Sequence, residues 1–134
     1  MREPIDVFVL ELGGNDGLRG IDPKVTERNL RAMLDTVRQV NPDTKLMLCG
    51  MRVPTNMGPD YTEAFEAIFP RIAQDYDCAY LPFLLKPVAT KEKYMFPDGI
   101  HPNAKGHKLV AAHVWDTLRP LLEPTPEADK SLAQ

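Results

Sequence analysis

Apolar residues along this chain fall into three short runs, with longer stretches of helical period between them. The first run, Asp6 to Leu12 (DVFVLEL), is nearly continuous, rich in Val and Leu, and stops at Gly13-Gly14. That pattern predicts a strand buried on both faces, as in a parallel sheet. Glu11 is its one internal charge, and we place it at the strand end facing solvent. Lys45 to Cys49 and Cys78 to Phe83 predict a second and a third strand. Asp22 and Pro23 supply an N-cap and a first helical residue. Leu30, Met33, Leu34, Val37 and Val40 then recur at helical spacing as one inward face, until Asn41-Pro42-Asp43 ends the helix. Gly50 to Asp60, with Pro54, Asn56, Gly58 and Pro59, predicts a long loop.

A second helix carries Phe65, Ile68, Phe69, Ile72, Ala73 and Tyr76 on one side. The apolar period continues across Pro70, which predicts one helix bent near Glu66 rather than two. Leu84 to Pro97 predicts irregular chain with a short helical turn. A last helix opens at Pro102 or Asn103 and runs to about Leu118, with Leu109, Val110, Val114, Leu118 and Leu121 inward. Residues 123–134 have the composition of a disordered tail, leaving 1–122 as the folded domain.

Strand and helix alternate three times, which predicts an α/β layered fold around a parallel sheet. Ligands of such sheets bind beyond the carboxyl ends of the strands. Three features fall there: Asn15, the Gly50–Gly58 loop, and the segment leading to His101.

Composition narrows the function classes. The 134 residues suit one domain, and 43% hydrophobic with 26% charged residues suffice for a real core. The net charge is −3, and the 16 basic residues are dispersed. That spread argues against nucleic acid as a partner and against a polybasic membrane patch or stable membrane anchoring. No apolar run approaches the roughly 18 residues needed to span a bilayer. The start lacks the features of a signal peptide, so the expected compartment is cytoplasmic as given, and periplasmic or extracellular if an upstream signal has been lost. Cys49 and Cys78 read as small core residues rather than a disulfide. The spacing of His101, His107 and His113 puts them on no common helical face, and no Cys/His spacing resembles a zinc site.

Two segments carry candidate chemistry. In Asp98-Gly99-Ile100-His101-Pro102, His101 is a natural general base and Asp98, three residues earlier, can accept its Nδ1–H. In Gly13-Gly14-Asn15-Asp16, Asn15 presents an amide donor just past a strand. Such a donor aimed at a developing oxyanion is worth about 2.7–4 kcal/mol of barrier. Each segment alone is an ordinary turn. Their joint placement at strand ends, in this order, points to acyl transfer.

The residues Val9 through Gly20, Arg52 through Gly58, Tyr61 through Pro70, Leu81-Pro82-Phe83 and Asp98 through Asn103 together resemble the SGNH, or GDSL, hydrolases. Within them the chain is most similar to the bacterial thioesterase I, lysophospholipase and arylesterase group. The resemblance implies a three-layer, flavodoxin-like α/β fold, here lacking the first strands. It also implies a serine esterase or thioesterase working without cofactor or metal on small-molecule acyl esters or thioesters. It casts His101 as base, Asp98 as its acid partner and Asn15 as oxyanion donor. It sets Gly14, Asp16, Gly17, Leu18, Arg52, Pro54 and Ile100 against substrate, with Asp16–Ile21 as a mobile loop.

The chain departs from the family in one respect. The Gly-Asp-Ser block that carries the nucleophile is absent, and the only serine is Ser131, among the last four residues. Cys49 stands at a strand end, but core packing is its better reading. Loss of a nucleophilic serine costs about 10⁶ in turnover in subtilisin. The expectation is therefore the C-terminal portion of a hydrolase, inactive or nearly so alone. Its Val7–Leu12 strand would offer an open edge for the missing N-terminal segment or for self-association, and the chain alone would be poorly stable. The alternative is a non-catalytic module that binds acyl groups or pairs with a partner.

Overall fold

The computed structural model describes residues 3–123. Three strands, β1 (Val7–Leu10), β2 (Lys45–Cys49) and β3 (Ala79–Leu81), form a parallel sheet in the order β1-β2-β3. Val9 pairs with Met47 and Leu10 with Leu48, while Met47 faces Ala79 and Cys49 faces Leu81 on the other side. β1 and β3 are shorter than their apolar runs, and Cys78 precedes its strand rather than lying in it. β1 is also not buried on both faces: Val9 is 41% exposed. The reason is its position at the sheet edge, with a neighbour on one side only.

Helix α1 (Gly14–Leu18) follows β1, where the sequence suggested a simple turn. Helix α2 (Pro23–Val40) has the predicted bounds: the Asp22 carboxylate accepts from the Lys24 amide at 3.0 Å, Pro23 opens the first turn and Asn41 ends the helix. Helix α3 (Pro59–Asp75) runs unbroken through Pro70, which lies on its exposed side while Phe65, Ile68, Phe69 and Ile72 are buried. Helix α4 (Ala104–Leu122) is capped by Asn103, whose Oδ1 accepts from the Gly106 amide at 2.9 Å. It extends past the predicted stop and includes Pro120 near its carboxyl end. There the ring removes the bond to the carbonyl four residues back and crowds it, but only two helical residues follow.

Successive strand residues point to opposite faces, so β2 divides the core. Leu46 and Leu48 join Leu10, Leu30, Leu34, Phe65 and Phe69 under α2 and α3. Met47 and Cys49 join Leu81 under Val114, Leu118 and Leu121 of α4. This is a three-layer α/β arrangement. The Phe65 and Phe69 rings, both fully buried, meet edge to face at 5.5 Å between centroids.

Three residues expected inward are exposed instead. Met33 and Val40 of α2 are about a seventh of a turn or more off the centre of the buried row of Thr26, Leu30, Leu34 and Val37. Leu109 of α4 is displaced in the same way, because Val110 takes the buried position. The tail expected over 123–134 lies, beyond Glu123, outside the described residues.

These placements give an expected contrast in urea unfolding. Phe69→Ala removes a buried ring and should cost about 3–5 kcal/mol, whereas Leu109→Ala should stay within about 0.5 kcal/mol of the parent. Equal losses would contradict this core.

Candidate active site

The segment between β3 and α4 folds back on itself before the helix begins. Met95 and Pro102 form an antiparallel bridge, the Phe96 amide donates to the His101 carbonyl at 2.8 Å, and the Asn103 amide donates to the Tyr94 carbonyl at 2.9 Å. Asn103 Nδ2 also donates to the Lys93 carbonyl at 2.9 Å, tying the helix cap to the preceding turn. The Asp98–His101 turn is thus held at its base by α4.

Within that turn Asp98 accepts three hydrogen bonds. Its Oδ1 receives the Ile100 amide at 2.9 Å and the His101 amide at 3.1 Å, and its Oδ2 lies 2.7 Å from His101 Nδ1. The imidazole foremost, then the two backbone amides, hold the Asp98 carboxyl down to about 2 although it is well exposed. An ionised Asp98 is only an acceptor, so Nδ1 carries the proton and the Nε2 lone pair is left free. The His101 side chain is 71% exposed, which leaves it open to a substrate or to another part of a site.

Asn15 lies in the first turn of α1, directly after β1. Gly13 turns the chain there with φ +114°, a conformation that L side chains rarely adopt. Gly17 is buried so closely that a Cβ would stand 2.4 Å from Val53 Cγ1 and 2.9 Å from Phe65 Cζ. The Asp16 carboxylate accepts from the Thr26 hydroxyl at 2.8 Å. Tyr61 of α3 donates to the Ile21 carbonyl at 2.7 Å. The Asp16–Ile21 segment, expected as a mobile loop, is therefore tied to both α2 and α3. A cleft of about 480 Å³ opens beside it, between Gly13, Gly14 and Asn15 on one wall and Thr26, Asn29, Leu30 and Met33 of α2 on the other.

Both segments face the same rim of the sheet. α4 ends beside the start of β2, where Lys45 Nζ donates to the Leu121 carbonyl at 3.1 Å. Farther back along the helix, His113 Nε2 lies 3.0 Å from the Phe83 carbonyl, just past β3. The helix therefore runs against the strand direction, and its amino end carries the His101 turn toward the strands' carboxyl ends. The structure joins Asp98 to His101 directly. Asn15 stands apart, beyond β1, two strand spacings from β3, or about 9–10 Å across the sheet.

The remaining candidates are distributed along that rim. Arg52 follows β2, with its guanidinium 5.1 Å from the Phe83 ring centroid. Pro54, Leu18 and Ile100 are exposed, and Gly14 lines the cleft beside Asn15. Cys49 is buried, and burial foremost, with the Glu11 charge second, pushes its thiol up to about 11. It is a protonated core residue at neutral pH and not a replacement nucleophile. Cys78 is likewise free and pushed up to about 11, chiefly by burial. Glu11 is exposed as expected, yet its neighbours exclude enough water to raise its carboxyl above the usual range. Ser131 lies outside the described residues. Among the described residues no group of three or more His, Cys, Asp or Glu side chains could hold a metal ion, and no helix is long and apolar enough to cross a membrane.

No sequence motif marks Thr26 or Tyr61 as a site residue, though both bond the Asp16–Ile21 segment. Thr26 left a signal: it is a polar residue at the head of the buried row that continues with Leu30, Leu34 and Val37.

Comparison with known proteins bears on the family and the fold. A family model described as GDSL-like lipase/acylhydrolase matches residues 2–109. The chain is 43% identical, over 85% of its length, to the thioesterase 1/protease 1/lysophospholipase L1 of Escherichia coli K12, of which it spans 54%. The crystal structure of TesA superposes with a TM-score of 0.79 at 39% identity, covering 87% of this chain and 63% of that one. The psychrotrophic esterase EstA of Pseudoalteromonas, solved with monoethylphosphonate as inhibitor, gives 0.78 at 31% identity, covering 85% and 61%. The chain spans about half the length of the curated relatives it matches. With the matched stretch reaching across the sheet and into α4, the chain belongs to the GDSL-like lipase/acylhydrolase family.

Proposed function

We propose that this chain provides the base, the orienting acid and the oxyanion amide of a serine-type hydrolase of carboxylic esters and acyl thioesters. The nucleophilic hydroxyl comes from a segment outside the described residues. The observation that carries the reading is the Asp98–His101 pair, with Nδ1 2.7 Å from the carboxylate and the ring otherwise open. The names of the relatives, a thioesterase and lysophospholipase, an esterase and an arylesterase, support the substrate class.

In this mechanism His101 Nε2 takes the proton of the incoming hydroxyl as its oxygen attacks the acyl carbonyl. The carbonyl π electrons move to oxygen, and the Asn15 amide donates to that oxyanion. Asp98 stabilises the imidazolium, which returns the proton to the departing alkoxide or thiolate. Water then repeats the sequence on the acyl-enzyme, restoring the hydroxyl. Gly14, Asp16 and Leu18 on one side, and Arg52, Pro54 and Ile100 on the other, are the rim residues set to meet the acyl group and its leaving group, while Gly17, buried against Val53 and Phe65, faces inward instead. The free edge of β1, with Val9 exposed beside it, suits a strand that would bring the hydroxyl to the same rim.

The lack of a serine among the described residues favours one other reading, a non-catalytic module that binds acyl groups or a partner strand. Reconstitution separates the two. The chain alone should neither hydrolyse a p-nitrophenyl ester nor take up a fluorophosphonate. Mixed with a polypeptide carrying a Gly-Asp-Ser block after an apolar strand, it should do both. In that mixture Asn15→Ala should lower kcat by about 10²–10³, and Asp98→Asn by about 10⁴. A mixture that binds fatty acyl groups and stays unlabelled would leave the module as the answer.

The carboxylate makes its own pH prediction. Because Asp98 is held below its ordinary value, the stabilisation its bonds give the turn is complete above about pH 4, the unfolded value. It is lost as pH falls through about 2. A carboxyl NMR titration should find the Asp98 midpoint near 2, and His101→Ala should move it upward. A midpoint near 4 in the parent would contradict the bonded geometry.

A further inference from the structure

We infer that Thr26 is a positioning residue for Asn15, holding the short helix that carries the oxyanion amide through the carboxylate of Asp16. This rests on the role proposed for Asn15 and deepens it. Thr26 is 1% exposed, one of two buried polar residues among those described. Its hydroxyl donates to Asp16 Oδ2 at 2.8 Å, fixing the residue after Asn15. Its methyl, Cγ2, stands 3.7 Å from where a Cβ on Gly13 would be, two residues before Asn15. One buried side chain therefore holds α1 by its Asp16 carboxylate and stands beside the Gly13 turn that starts it.

The grip is needed because α1 has little strength of its own. It is five residues long, and its first turn has no side-chain cap. Isolated helices of that length do not persist in water. The Gly17 amide bonds the Gly13 carbonyl, and the Arg19 amide bonds the Asn15 carbonyl, both at 3.0 Å. Those bonds last only while neighbours keep the turn in place. Phe65 and Val53 press on Gly17, and Tyr61 donates to the Asp16 and Ile21 carbonyls, but among the described residues Thr26 supplies the one hydrogen bond to a side chain of α1. An amide displaced by about 1 Å from an oxyanion loses much of its effect on rate.

Amide hydrogen exchange and side-chain NMR on the full chain test this without requiring activity. Thr26→Val keeps the shape and removes the hydroxyl. It should speed exchange at Gly17, Arg19 and Ile21 at least about tenfold and broaden the Asn15 side-chain amide signal, with Leu46 to Cys49 as protected as in the parent. Thr26→Ser should restore the parent behaviour at Arg19 and Ile21. Asp16→Ala, which alters the half-buried partner of the same bond, should reproduce the Thr26→Val pattern even if the helix substitution proves unstable. Unchanged exchange in both variants overturns the inference, as does loosening that spreads equally to β2, which marks a merely structural residue. Failure of the reconstituted hydrolysis would instead reject the proposed function and leave the exchange result standing.

Discussion

Parallel pairing of β1 with β2, and of β2 with β3, decides where everything chemical in this molecule lies. Parallel strands all release their following segments at one edge of the sheet, so α1, the Arg52 loop and the chain leading to the His101 turn begin on the same side. The return path of α4 completes the arrangement by carrying the His101 turn back to that rim. An antiparallel partner at any position would have sent one of these segments to the opposite end.

The two halves of the candidate site are built on different physical terms. The Asp98–His101 pair is local: three residues of chain, three hydrogen bonds to one carboxylate and an exposed ring. It needs the core only to anchor its base. Asn15 depends on tertiary packing throughout, since its helix is short and is held by Thr26 from α2, Tyr61 from α3 and the walls around Gly17. The charge needed to orient a base can thus be supplied within a turn, whereas fixing a neutral amide in space takes several elements.

Charge placement in the core follows the same economy. β2 is buried on both faces, so its end residue Cys49 becomes a protonated thiol surrounded by Met47 and Leu81. β1 is covered by α2 and α3 on one face only. Val9, on the face that α4 serves for β2 and β3, remains half in water. Met33 and Val40 stay outward on α2, beside the buried row of Thr26, Leu30, Leu34 and Val37.

The three strands and three long helices in their order, the bounds of α2 and β2, the continuity of α3 across Pro70 and the pairing of Asp98 with His101 were all legible in the residues. Each is set by interactions within a few positions: apolar period, a capping carboxylate, a proline at a permitted place, a carboxylate one turn from an imidazole. Tertiary structure alone decided which residues of an apolar stripe are covered, and that the glycine-rich turn after β1 winds into a helix. It also decided that a threonine in α2 reaches the residue beside Asn15. The physical reason is range: periodicity reports what a segment can bury, while only the packed neighbours determine what is there to bury it against.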